Sequence, residues 1–146
     1  MKKNEQPNTV VLKVSAEVEV PVEKAWELFN APEHIVNWNA ASPDWHSPRA
    51  SNDLRTGGSF SYRMEARDGS VGFDFAGEYT EVEPMTSFTY RMEDGRTARV
   101  EFEPTELGTR VTTQFDAESS NPLEMQQAGW QAILNNFKTY AENQNR

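Results

Sequence analysis

The sequence predicts an α+β fold in which a curved antiparallel sheet of about six strands wraps a long C-terminal helix. Three observations carry this prediction. One alternating strand near the start leads into two short helices rather than a hairpin. Five further alternating stretches then run from Ser59 to Ala117, joined by links short enough for hairpins. The last apolar pattern, over residues 122–143, repeats at 3.6 residues instead of two.

Residues 1–8 are polar and are expected to form a flexible N-terminus, leaving 9–146 as a single domain. In "TVVLKVSAEVEV", Val10, Leu12, Val14, Ala16, Val18 and Val20 share one face, and Lys13, Ser15, Glu17 and Glu19 the other. That is the pattern of a half-buried strand. Pro21 suits a helix's first turn, and Val22, Ala25, Trp26 and Phe29 fall on one helical face behind it. Pro32 restarts a second short helix. Residues 39–58 show no period and are rich in Ser, Pro, Asn and Asp, which reads as a long loop.

The period of two returns at Phe60, Tyr62, Met64 and Ala66, up to the turn "RDGS". Val71, Phe73, Phe75, Gly77 and Tyr79 share the next face, and Pro84 ends that strand. Three shorter strands follow, carrying Phe88, Tyr90 and Met92, then Ala98, Val100 and Phe102, then Val111, Thr113 and Phe115. Asn121 and Pro122 suit the cap and first turn of the terminal helix. Its apolar side gathers Gln126, Gly129, Trp130, Ile133, Leu134, Phe137, Tyr140 and Ala141. The first strand needs a partner and the long helix a surface. Closing the first strand on the last supplies both, because the concave face then buries the helix.

Composition narrows the function classes. Fourteen Lys and Arg against 23 Asp and Glu give a formal charge of −9. Such a surface repels phosphate backbones and anionic lipid, so no nucleic-acid or membrane partner is expected. With no cysteine there is no disulfide, thiolate metal site or cysteine nucleophile. "MKKNEQPN" has no apolar stretch behind its lysines, so no signal peptide is read and a cytoplasmic location is expected.

Four segments, in order, carry a family resemblance: "VPVEKAWELFNAPEHIVNW", "DLRTGGSFSYRM", "GEYTEVEP" and "GWQAILNNFKTY". Together they resemble the heat-shock-protein-90 ATPase activator homologue (AHSA-type) family, in its bacterial single-domain branch. That family lies in the START-like, or SRPBCC, superfamily with the birch-pollen-allergen relatives, and the similarity runs from about Val14 to Tyr140. The resemblance implies a helix-grip fold with a cavity between sheet and helix that holds apolar or amphipathic small molecules.

On that expectation the candidate lining residues are Trp38, Trp45, Phe60, Tyr62, Phe73, Phe75, Tyr90, Gly129, Trp130, Ile133 and Phe137. The strand aromatics serve a filled core or a pocket wall equally well. Trp38 and Trp45 bracket the polar loop, either anchoring it or covering a pocket mouth. Gly129 costs about 1 kcal/mol against Ala inside a helix. Either it lets the helix approach the sheet closely, or it leaves room for a ligand.

Catalytic and metal chemistry find little support. His34 reads as surface or structural, and His46, two residues after Asp44, as a solvated loop residue. No spacing of His and carboxylates suggests a metal site, and no cofactor is expected. The leading reading is a binding module for an apolar or aromatic small molecule, lipid-like or polyketide-like. A co-chaperone that stimulates a heat-shock-protein-90 ATPase is the alternative and is not favoured. The eukaryotic activators carry an additional amino-terminal domain that these residues do not match, and the surface is acidic. A polyketide cyclase or aromatase is the third reading, and it requires a polar cluster inside the cavity.

Overall fold

The computed structural model describes residues 10–144, so the stretch expected to be flexible lies outside the described residues. Strand β1 (Val11–Val18) leads into helices α1 (Val22–Asn30) and α2 (Pro32–Ile35). Two short strands follow, β2 (Trp45–His46) and β3 (Ala50–Asn52). The meander is β4 (Ser59–Ala66), β5 (Gly72–Glu83), β6 (Ser87–Met92), β7 (Thr97–Pro104) and β8 (Thr109–Asp116). Helix α3 (Leu123–Gln144) follows β8. All pairings are antiparallel, and the strand order is β1-β8-β7-β6-β5-β4-β2, with β3 also on β4. This is the expected helix-grip architecture.

β1 closes on β8 as anticipated, with Val14 opposite Thr113 and Ala16 opposite Val111. Residues directly opposite share a face. The inward set therefore continues across the sheet through Phe102, Val100, Ala98, Phe88 and Tyr90. Two details depart from the sequence pattern. The stretch 39–58 contains β2 and β3, which are too short to show a period. In β5 the register against β6 shifts between Tyr79 and Glu81. This bulge lets Tyr79 and Val82, three residues apart, pair opposite Tyr90 and Phe88 on one face.

Gly77 pairs with Phe60 across β4 and β5. A Cβ there would stand 2.9 Å from the Phe60 ring and 2.9 Å from the Arg91 carbonyl oxygen. The missing side chain lets the ring lie across the strand.

Helix α3 buries Leu134, Phe137 and Ala141 against the concave face, while α1 buries Ala25, Trp26 and Leu28. Trp26 packs edge-on against Phe88 and Phe102 at 5.9 and 5.1 Å, the core role expected of it. Polar residues of α3 fix its position along edge strand β1. Gln127 Nε2 donates to the Lys13 carbonyl at 2.8 Å, Gln131 Nε2 to that of Ser15 at 3.0 Å, and Lys138 Nζ to that of Glu17 at 2.9 Å. A period-two row of edge carbonyls thus meets side chains at helical spacing, which covers an edge that would otherwise template pairing.

The start of α3 differs from expectation. Asn121 makes no side-chain cap; its Nδ2 bonds the Glu118 carboxylate, and the helix begins at Leu123. Gln126 organises this corner instead. Its Oε1 accepts from the Glu118 backbone N–H, and its Nε2 donates to the carbonyls of Glu118 and Asn121. Its place in the apolar stripe reflects burial with every polar atom engaged.

Candidate functional site

Because α3 is tethered along β1, its side chains cover the β1–β8 half of the concave face more closely than the β4–β6 half. Trp130 stacks flat on Phe115 of β8, with centroids 3.9 Å apart and planes 7° apart. Only its edge reaches Phe75 of β5, at 6.3 Å. A cavity of about 250 Å³ remains over the uncovered half. Its walls come from β4 (Phe60, Tyr62, Met64), β5 (Phe73, Phe75, Tyr79) and β6 (Phe88, Tyr90). Val100 and Thr113 form the floor further along the sheet, and Trp130, Ile133 and Leu134 of α3 form the opposite wall. Phe29 and the Trp38–Asn39 pair after α2 complete it.

Eight of the anticipated residues line this space: Trp38, Phe60, Tyr62, Phe73, Phe75, Tyr90, Trp130 and Ile133. Phe73 is 49% exposed and marks the outer end. Trp45, Phe137 and Gly129 do not line it. Trp45 lies in β2 at the sheet's far edge, its ring edge-on to Phe73 at 6.0 Å. Phe137 is fully buried behind the wall, against Phe29 at 4.9 Å and Trp38 at 5.1 Å. At Gly129 a Cβ would meet nothing within 4 Å. It neither permits a close helix–sheet contact nor faces the cavity, and nothing in the structure requires a glycine there.

Sequence reasoning left out Phe29, Asn39, Met64, Tyr79, Phe88, Val100, Thr113 and Leu134. Tyr79 and Phe88 were legible as inward-facing strand aromatics. Asn39 was not, because it follows a helix of four residues, too short to define a face.

The wall is apolar apart from Asn39, Thr113 and three tyrosines, and it carries no charged residue. Tyr79 donates its hydroxyl to Asn52 Oδ1 at 2.6 Å, and Asn52 Nδ2 donates to the Asn30 carbonyl at 2.8 Å. The Tyr62 hydroxyl stands beside that of Tyr79, with Tyr90 nearby. Burial pushes the Tyr79 phenol up to about 12 and raises those of Tyr62 and Tyr90 as well. All three remain neutral hydrogen-bonding groups under physiological conditions.

Neither histidine faces this space. His34 Nδ1 hydrogen-bonds the Tyr140 hydroxyl at 2.7 Å, which also accepts from Asn37 Nδ2 at 3.3 Å, tying α2 to α3. His46 pairs with Glu65 across β2 and β4, with Nε2 3.8 Å from the carboxylate. Among the described residues no three His, Cys, Asp or Glu side chains are grouped to hold a metal ion. No helix of the described residues is long and apolar enough to cross a membrane. A second, more polar cleft of about 420 Å³ lies between the segment after α2 and the outer side of α3.

Residues 19–142 match the family described as Activator of Hsp90 ATPase homolog 1-like protein. The chain belongs to this family. Among solved structures, an AHSA1-like protein from Aeromonas hydrophila is 45% identical. The match covers 93% of this chain and 94% of that one, with a TM-score of 0.88. A protein of Cytophaga hutchinsonii is 46% identical over 94% of each chain, with a TM-score of 0.77. One from Nitrosomonas europaea, 23% identical over 93% of this chain and 96% of its own, shares the fold at a TM-score of 0.79. No curated protein matches the chain. In this member of the Activator of Hsp90 ATPase homolog 1-like family, the gap between sheet and helix is lined mainly by rings.

Proposed function

We propose that the protein binds an apolar or aromatic small molecule in the cavity between β4–β6 and α3. The observation that supports this reading is an aromatic-lined space of about 250 Å³ inside an otherwise packed core. Protein interiors are close-packed. An apolar space of this size leaves its lining side chains without the contacts that a packed interior supplies. A ligand supplies the missing contacts. The size favours ring compounds over long acyl chains, since a cavity of about 150 Å³ accommodates benzene. Titration of the protein with naphthalene and with palmitate, followed by NMR chemical shifts, tests this reading. Saturable shifts confined to cavity residues are expected with naphthalene and not with palmitate. Absence of any saturable shift with naphthalene would refute it.

The family's description favours a second reading, stimulation of an Hsp90-type ATPase. It ranks lower because the chain carries a formal charge of −9, whereas the cavity is a formed feature of the fold. A saturable, dose-dependent rise in the ATPase rate of a bacterial Hsp90 homologue would reverse the ranking.

A further inference from the structure

Tyr90 and Thr113 are the deep wall residues whose hydroxyls have no protein partner among the described residues, and Tyr90 is the one set among the rings of β4 and β5. The side chain is 6% exposed and lies on the inward face of β6, edge-on to Phe60 at 4.9 Å and Phe75 at 6.2 Å. Its neighbours' hydroxyls are already committed. Tyr79 gives its proton to Asn52, and Tyr62 stands against Tyr79. Among the described residues no protein group hydrogen-bonds the Tyr90 hydroxyl. Nor is it a sealed orphan: the fully enclosed polar side-chain atoms without a partner are Asn30 Oδ1 and Ser47 Oγ. Tyr90 lines the cavity, and its oxygen is not fully enclosed. A hydroxyl with no protein partner at the wall of an apolar cavity can donate to a ligand atom that enters it. The neighbouring cation, Arg96, is held by Asp94 at 2.7 Å and does not line the wall.

We propose that the cavity selects neutral ligands of one or two rings carrying a single acceptor oxygen, such as a ketone, and that Tyr90 donates a hydrogen bond to that oxygen. This deepens the binding reading above and rests on it. A phenol donor held among rings favours an acceptor it can reach without water. A carboxylate would enter a wall with no cation to pair with it, at a large desolvation cost. The hydrocarbon of the same shape would leave Tyr90 as it stands.

The test uses three probes of nearly equal size: α-tetralone, tetralin and naphthoate. Each is titrated calorimetrically into the full chain and into Tyr90→Phe and Tyr62→Phe. In the wild-type protein α-tetralone should bind about tenfold more tightly than tetralin, the effect of one net hydrogen bond. Naphthoate should bind more weakly than either. Tyr90→Phe keeps the ring and should erase most of the preference for α-tetralone over tetralin. Tyr62→Phe should retain the preference. Thermal unfolding of both variants verifies that they fold. Equal affinity for α-tetralone and tetralin overturns the inference and leaves the cavity reading intact. So does a preference lost in Tyr62→Phe but kept in Tyr90→Phe, or naphthoate binding more tightly than α-tetralone. No binding of any probe overturns both.

Discussion

Trp130→Ala removes the contact by which α3 grips the sheet beside the cavity. Full truncation of a buried Trp costs about 3–5 kcal/mol. Trp130 is only partly buried, because one face covers Phe115 while its edge borders the cavity. Roughly half of that figure, plus about 0.5–1.5 kcal/mol for the stacked ring pair, gives an expected loss of about 2–4 kcal/mol. For a chain of this length that lowers the melting temperature by about 4–16 °C. Urea denaturation measures the loss, and Trp130→Phe is the control, since it keeps a ring over Phe115 and should recover about half of it. The same truncation widens the cavity, so affinity for naphthalene should fall. A loss below about 1 kcal/mol, within the range of ordinary surface substitutions, would show that the stacked pair does not hold the helix.

Gly77→Ala should destabilise by about 1–3 kcal/mol, as overpacked sites do, because the new Cβ meets both the Phe60 ring and the rigid Arg91 carbonyl; an unchanged denaturation midpoint would contradict it. Gly129→Ala should instead stabilise by about 0.5–1 kcal/mol through helix propensity alone, with no change in naphthalene affinity, measured by thermal unfolding and titration of one variant. Gln126→Ala should cost about 2 kcal/mol, since it strips partners from the Glu118 N–H and two carbonyls at once. Alkaline pH should weaken the fold. The folded protein holds the Tyr79 proton up to about 12 against the usual 10, so this contribution is complete below pH 10 and is lost as pH rises through 12. By about pH 11 that loss should reach on the order of 1 kcal/mol from Tyr79, with Tyr62 and Tyr90 acting in the same direction. Tyr79→Phe should flatten the decline, and a wild-type stability that rises above pH 10 would refute the assignment.

How far each feature was legible followed from the range of the forces behind it. Side-chain direction in a strand or helix is set within a few residues. The alternation around Val14, Phe60, Val100 and Val111 and the stripe through Trp130, Leu134 and Phe137 could therefore be read without coordinates. The closure of the first strand on the last was legible too, since an open first strand and an uncovered helix admit few solutions. A face, however, says only which way a residue points. Whether the space beyond it is filled depends on where two elements sit relative to each other. Ile133 and Phe137 share one stripe, yet Ile133 borders the cavity and Phe137 is packed behind it against Phe29 and Trp38. That difference arises because Gln127, Gln131 and Lys138 draw α3 toward the edge of β1. Their carbonyl partners lie more than a hundred residues away in the chain, and no local pattern encodes that distance. The same holds for Gly129, whose surroundings are open space, and for Tyr90. Its inward direction was written in the alternation of β6; which polar groups stand near its hydroxyl was decided only by how β3, β5 and β6 come together, with Asn52 of β3 placed on Tyr79.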